Sequence, residues 1–276
     1  MGLRIATNIA SLSAQRSLSK TNVEMQKSLN RLSSGNRISS AADDSAGLAI
    51  SESLTSQIRS LKQAERNAND GISFVQVAEG GLSEIGNMLV RLRELSIQAA
   101  SDTIGDRERG FIDKEYQSLK KGIDQIANTT QFNGSQLLNG SASHDLDIQV
   151  GIQNREDDRI KFAVNESDVR ADKLGISGIS SISIGDARSA LDKLDEAIGK
   201  VSGVRAGLGA MQNKLQSATN TTSTARVNLA EARSRIADTD IAEEAANMAQ
   251  KQILQQAGVS ILAQANAAPQ AALKLI

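Results

Sequence analysis

The sequence predicts a mainly α-helical chain, a long antiparallel coiled-coil-like helical rod with a small β-hairpin region in the middle. Three observations carry this reading. Apolar residues recur at steps of three and four through both flanks. Proline occurs once, at Pro269, where roughly 5% of residues would be ordinary, so long helices run uninterrupted. Between residues 132 and 185 the apolar period drops to two, the spacing of a strand.

Ile5, Ile9 and Leu12, then Leu18, Met25, Leu29 and Leu32, mark one face of a first amphipathic helix of about 30 residues. It ends at SSGNRISSAADDSAG, where Gly35 and a cluster of Ser, Asn and Asp make a loop. Asp43, Asp44 and Ser45 can cap a second helix. Its stripe runs Ile50, Leu54, Ile58, Leu61, Ala64, Ala68, Ile72 and Val75, then Leu82, Ile85, Leu89, Leu92 and Ala99. At 1.5 Å per residue such a helix approaches ~80 Å. Gly71, Gly80 and Gly81 weaken it by about 1 kcal/mol each relative to Ala and point to close approach of a neighbour. SDTIGDRERG breaks the pattern, and a third helix resumes through Phe111, Tyr116, Leu119, Ile123 and Ile126.

Ile148, Val150 and Ile152 alternate with polar residues, as do Ile160, Phe162 and Val164, and NREDD lies between them. That is a β-hairpin with a charged loop. LGISGISSISIGD follows as a loop or weak strand. One long helix then begins near Asp186, and Leu191, Leu194, Ile198, Val201, Leu208, Met211 and Leu215 keep the alternation of coiled-coil packing. A final helix carries Ile241, Met248, Leu254, Ala257, Ile261 and Ala265. The expected segments are 1–44, 45–185, 186–236 and 237–276. If the middle folds back, the two ends lie side by side, each covering part of the other's stripe.

Composition narrows the function. All five aromatics (Phe74, Phe111, Tyr116, Phe132 and Phe162) fall between residues 74 and 162, so the flanks pack with aliphatic residues and Ala. With 31 basic and 32 acidic residues interspersed, no field points to nucleic acid or an anionic membrane. No apolar run is long enough to span a bilayer, and MGLRIATNIASLSAQRSL lacks the core of a signal peptide. Cysteine is absent, which excludes disulfides and thiol chemistry. The sole histidine, His144, sits in a polar loop without a second His or Cys. Asp43/Asp44, Asp157/Asp158 and Glu243/Glu244 read as cap and surface pairs. No phosphate-binding or nucleophile motif occurs. We expect no catalytic residue, metal or cofactor. The stripe in GVSILAQANAAPQAALKLI, by contrast, needs a cover.

Several longer stretches carry a resemblance. SLNRLSSGNRISSAADDSAGLAIS at 28–51, QAERNANDGIS at 63–73, RLRELSIQAAS at 91–101 and FNGSQLLNG at 132–140 resemble the N-terminal half of bacterial flagellin. Residues 232–276, ARSRIADTDIAEEAANMAQKQILQQAGVSILAQANAAPQAALKLI, are similar to the flagellin C-terminus. The likeness implies an inner D0 layer of paired terminal helices and a D1 rod with a β-hairpin, in a short form without the outer D2/D3 domains. It implies a structural subunit of the flagellar filament, with a hook–filament junction protein of the same family as the alternative.

The resemblance also implies partners. Further copies of the chain would cover the stripes, with Ile5, Ile9, Leu12, Leu18, Met25, Leu29, Leu32, Leu254, Ile261, Leu273, Leu275 and Ile276 forming the filament core. An export chaperone, the type III export apparatus, the filament cap and hook-junction proteins would follow, in a protein exported to the extracellular flagellum without a cleaved signal peptide. Arg91, Leu95 and Glu115 match the flagellin surface recognised by Toll-like receptor 5. Arg91 and Leu95, four apart, would set a charge beside an apolar anchor.

Overall fold

The computed structural model describes residues 7–141, 145–163 and 167–273, with side chains of the last helix described to Ala267. Ile5, His144, Val164, Leu275 and Ile276 lie outside the described residues, as does the side chain of Leu273. The chain forms two compact units, Met1–Ile58 with Asn228–Ile276, and Arg59–Val227. The divisions fall inside two long helices, whereas the sequence places its boundaries after residues 44 and 236.

In the first unit, α1 (Ile9–Ser34) and α6 (Ile241–Leu273) pair. They run antiparallel. Asn8 Nδ2 donates to the Ala265 carbonyl at 2.8 Å, Gln255 Nε2 donates to Asn22 Oδ1 at 2.9 Å, and Arg31 faces Glu244 at 3.7 Å. Asn8 caps α1 by accepting the Ser11 amide. Gly35, with φ 70°, ends α1 in the left-handed conformation and returns its amide to the Arg31 carbonyl. The two connections then touch: Arg37 N donates to Ala237 O at 2.7 Å and Thr239 N to Gly35 O at 2.9 Å. Asp44 caps α2 (Ser45–Ala99) through the Gly47 amide, while Asp43 accepts hydrogen bonds from Ser39 and Ser40 instead.

The second unit is built on α2 from Arg59 onward, α3 (Asp106–Thr129) and α5 (Ile184–Ala237) as far as Val227. Neighbours run antiparallel. Arg91 pairs with Glu115, and Arg109 Nε donates to the Ala99 carbonyl, across α2 and α3. Arg93 pairs with Asp195, and Glu65 with Arg226, across α2 and α5. Leu82, Ile85, Leu89 and Leu92 from α2 meet Tyr116 and Ile123 from α3 and Leu194 and Leu215 from α5 in one fully buried core. Phe111, placed on this stripe by its spacing, is 57% exposed. Its neighbour Ile112 packs on the core in its place.

Two small antiparallel hairpins close one flank of these helices. β1 (Gln131–Phe132) and β2 (Ser135–Gln136) flank Asn133–Gly134, whose φ values of 48° and 81° make the two-residue turn that Asn-Gly favours. β3 (Leu146–Gln149) pairs with β4 (Arg159–Phe162), setting Ile148 opposite Ile160. Val150 and Ile152 lie beyond the ladder, because the Val150 and Gly151 amides both donate to the Asp158 carbonyl and end it. Phe74 receives Phe132 and Phe162 edge-on, with centroids 5.9 and 4.9 Å away.

The stretch LGISGISSISIGD contains no strand. It leaves a short helix, α4 (Ala171–Leu174), through left-handed Gly175 and plugs Ile176 and Ile179 into the core. One line of α3 pins it there. Asp124 accepts the Ala171 amide, Lys120 Nζ donates to the Ser177 and Ile179 carbonyls at 2.6 and 2.9 Å, and Asp113 accepts the Ser181 amide. Burial pushes the Lys120 ammonium below its ordinary pKa.

Glycines divide into two kinds. A Cβ on Gly71 would stand 2.7 Å from Ile148, and one on Gly81 2.7 Å from Thr130, so both permit close approach, whereas Gly80 faces open space. Gly199, Gly203 and Gly207 in α5 also have nothing within 4 Å. Gly81→Val should therefore destabilise the soluble chain by about 1–3 kcal/mol through overpacking and so lower its urea midpoint. Gly203→Ala should raise stability by about 0.4–1 kcal/mol. Circular dichroism through both transitions checks the opposite signs.

Candidate assembly surface

The α1–α6 pair is built inside out. Among the covered positions, Glu244, Met248, Lys251, Gln255, Gly258, Leu262 and Ala265 follow one another on α6 and Ser11, Ala14, Leu18, Thr21, Met25, Ser28 and Leu32 on α1, with Ala245, Asn247, Asn22, Glu24 and Arg31 covered beside them. Both are uninterrupted alternations of three and four, the spacing of a coiled-coil seam. The α6 side of that seam is mostly small or charged. Gly258 lets α1 approach, since a Cβ there would stand 3.2 Å from Leu18.

The large aliphatic side chains point elsewhere. On α6, Leu254, Ala257 and Ile261 keep the same alternation on an exposed face, with Gln250 and Gln264 continuing it at either end, about a third of a turn from the seam. Leu254 and Ile261 are 47% and 57% exposed, and Ile253 reaches 67%. On α1, Ile9, Leu12, Val23 and Leu29 are exposed in turn. Of the residues the sequence singles out, Leu18, Met25 and Leu32 enter the intrachain seam, while Ile9, Leu12, Leu29, Leu254 and Ile261 remain uncovered. The expectation that each end covers part of the other's stripe holds for Met248 and Ala265 on α6, which face α1, while Leu254, Ala257 and Ile261 of the same predicted stripe stay uncovered. Val23, Ile253 and Val259 are also exposed, at other angles around their helices, and escape a search for a single stripe.

Charges hold the seam. Lys251 donates to Glu24 and Arg31 faces Glu244 across it, while Lys27 lies 3.6 Å from Asp43 in the connection to α2. The hydrogen-bonded Lys251 ammonium holds the Glu24 carboxyl below its ordinary pKa, and the Ser40 hydroxyl does the same for Asp43. The carboxylate pairs have structural work: Asp158 accepts the Gln153 amide, and Glu244 sits buried in the seam.

Arg91, Leu95 and Glu115 separate into two roles. Arg91 donates to Glu115 and to Glu94, both at 3.0 Å, on an exposed face. Leu95 is 2% exposed and belongs to the core beneath them. It cannot serve as an apolar anchor on that surface, and the exposed apolar residues nearby in sequence are Val90 and Ile97. Among the described residues, no helix is long and apolar enough to cross a membrane.

A carboxylate with a depressed folded-state pKa stabilises above its unfolded value and loses that contribution as pH falls through the folded one. The Glu24 contribution should therefore be complete above about 4.5, the ordinary Glu value, and fade below it. Glu24→Gln should show a shallower loss of thermal midpoint through this acid range than the parent chain, read by circular dichroism.

Comparison with known proteins gives this architecture a family. Residues 5–143 match the bacterial flagellin N-terminal helical region, and residues 191–276 match the bacterial flagellin C-terminal helical region. The chain is 39% identical to a flagellin of Halalkalibacterium halodurans over 269 residues, covering 98% of each. It is 40% identical to the flagellar filament 33 kDa core protein of Treponema phagedenis, again over 98% of each. The crystal structure of Bacillus cereus flagellin matches with a TM-score of 0.51 at 31% identity, covering 57% of this chain and 88% of that one. A putative flagellar hook-associated protein from Vibrio parahaemolyticus shares the fold, with a TM-score of 0.58 at 15% identity over 71% of this chain and 100% of that one. With both terminal regions in order and relatives matched nearly end to end, the chain belongs to the bacterial flagellin family.

Proposed function

We infer that this chain is the structural subunit of a bacterial flagellar filament, assembling with copies of itself for swimming motility. The observation that carries the reading is the α1–α6 pair, whose intrachain seam uses Leu18, Met25 and Leu32 against a mostly small or charged face of α6 while Leu254, Ala257 and Ile261 face outward uncovered. Copies stacked through head-to-tail contacts cover such faces and continue as an open helix. The flagellins and filament core proteins matched nearly end to end favour the filament subunit over a hook–filament junction protein.

Finer assignments follow as parts of the same proposal. Residues 1–44 and 237–276 form the inner D0 layer and residues 45–236 the D1 rod, a division broadly supported by the separate Met1–Ile58 with Asn228–Ile276 and Arg59–Val227 units. Before assembly the Leu254–Ile261 face needs a temporary cover, the role of an export chaperone. Passage through the type III export apparatus needs no cleaved signal peptide, and the cap and hook-junction proteins meet the subunit at the filament's ends. Receptor recognition would rest on Arg91 and Glu115, with Leu95 supporting them from the core.

Leu254→Glu combined with Ile261→Glu tests assembly directly. Each buried aliphatic side chain is worth about 1.5–3 kcal/mol, so elongation of filament seeds should fall by about a hundredfold or more. The soluble chain should keep its helicity and thermal midpoint. Normal elongation by the doubly substituted chain would sink the assembly reading of this face.

For the receptor, Arg91→Ala should weaken signalling by soluble monomer while leaving the fold intact. Leu95→Ala should instead cost about 2–5 kcal/mol of stability through a core cavity. Full signalling by Arg91→Ala, measured in receptor-expressing cells, would end that assignment.

A further inference from the structure

Two exposed features of the Arg59–Val227 unit complement each other in charge and shape. They are too far apart to meet within one chain. On the outer side of α3, Arg107, Phe111, Lys114 and Lys121 are all exposed and follow at steps of four, three and seven, so they share a face. Lys114 Nζ lies 5.8 Å from the centroid of the exposed Phe111 ring, a cation over an aromatic face. Among the described residues, the ion pairs of α3 are made by Asp106, Arg109 and Glu115, leaving these three cations free.

The complementary feature is a groove of about 360 Å³ between α2, the β1–β2 turn and β3. Phe74, Phe132, Leu146 and Ile148 line it with apolar surface, the exposed Asp70 stands beside it on α2, and Asp147, on the solvent face of β3, borders its rim. Lys161, opposite Asp147 in the ladder, pairs with Glu156 instead. Neither Asp70 nor Asp147 has an ion-pair partner among the described residues. An aromatic ring carrying an ammonium group suits such a groove: the ring meets the apolar floor and the cation meets the acids.

The contacts of Arg91 with Glu115 and of Arg109 with the Ala99 carbonyl set Phe111 beside the stretch of α2 near Ile97. The groove takes Asn67 to Phe74 of the same helix. At 1.5 Å per residue the two sites stand ~35–40 Å apart along α2.

We propose that the Phe111–Lys114 knob of one copy seats in the Asp70–Asp147 groove of the next. The contact is heterologous, each copy keeping one free knob and one free groove, so it propagates as an open stack. The proposal rests on the filament-subunit reading and adds to it a defined contact within the Arg59–Val227 unit, separate from the α1–α6 faces.

The natural absence of cysteine allows a direct test. Ser118→Cys and Ser135→Cys put one thiol beside the knob, one heptad from Phe111 on the same exposed face of α3 and sparing both Phe111 and Lys114, and one at the groove. Filaments of the doubly substituted chain, oxidised and run without reductant, should give a ladder of covalent oligomers, while each singly substituted chain runs as monomer. In a second arm, Lys114→Glu and Asp147→Lys should each slow seed elongation by about tenfold or more, and the two together should recover much of the rate. Filaments without a ladder, or cross-linking that stops at a dimer, would overturn the knob-and-groove contact and leave the filament reading standing. Failure of the unsubstituted chain to elongate seeds would instead overturn the filament reading and this contact with it.

Discussion

An α-helix packed against a single partner hides one stripe of its surface and leaves the remainder to solvent. In the α1–α6 pair that hidden stripe includes Ser11, Thr21, Ser28, Glu244, Lys251, Gln255 and Gly258, while Leu12, Ile253, Leu254 and Ile261 stay outside. Leu18, Met25, Leu32, Met248 and Leu262 are covered as well, so the hydrophobic effect, normally the main drive to fold, is satisfied within the pair only in part and otherwise deferred to contacts beyond the chain. A surface of this kind ties the stability of the terminal helices to the presence of neighbours. It suits a subunit that must be soluble first and built in later.

The Arg59–Val227 unit obeys the opposite arrangement. Its aliphatic positions converge on one core, and its buried charges are satisfied within the chain. Lys120 spans two carbonyls, and Arg109 reaches the carbonyls of Ala99 and Ser101 as well as Asp106. Each buried donor left without a partner would cost about 1–3 kcal/mol, so the line Asp113, Lys120 and Asp124 fixes the path of the segment after β4 more strictly than apolar packing would. The one unit carries its own reasons to fold; the other is completed by assembly.

How far the sequence discloses this depends on which force places each residue. The long helices are legible because apolar periodicity survives over many turns and a single proline interrupts nothing. The β3–β4 hairpin is legible through Ile148 and Ile160, which do lie opposite each other. The smaller β1–β2 hairpin is also written locally, in the Asn133–Gly134 pair, but two-residue strands carry no periodicity to draw attention to it. Phe111 defeats a reading by hydrophobicity, because its exposure is set by the rotation of α3 that buries Tyr116 and Ile123. Leu95 fails in the same way and in the other direction. Least visible is the choice of seam on α6: two faces share one heptad spacing, and only tertiary structure shows that α1 takes the more polar one.

That choice makes the α1–α6 seam a ruler. Glu24 lies against Lys251 and Arg31 against Glu244, two pairs of opposite sense spaced seven residues apart on each helix. Sliding α6 by one heptad in one direction would bring Lys251 opposite Arg31, and sliding it the other way would bring Glu244 opposite Glu24. Either misalignment trades attraction for like-charge contact, although Leu, Met and Ala would tolerate both nearly as well as the native alignment. An aliphatic seam of uniform spacing would adhere more strongly but read its own position poorly. The charges give up some adhesion to fix where along its length each terminal helix stops.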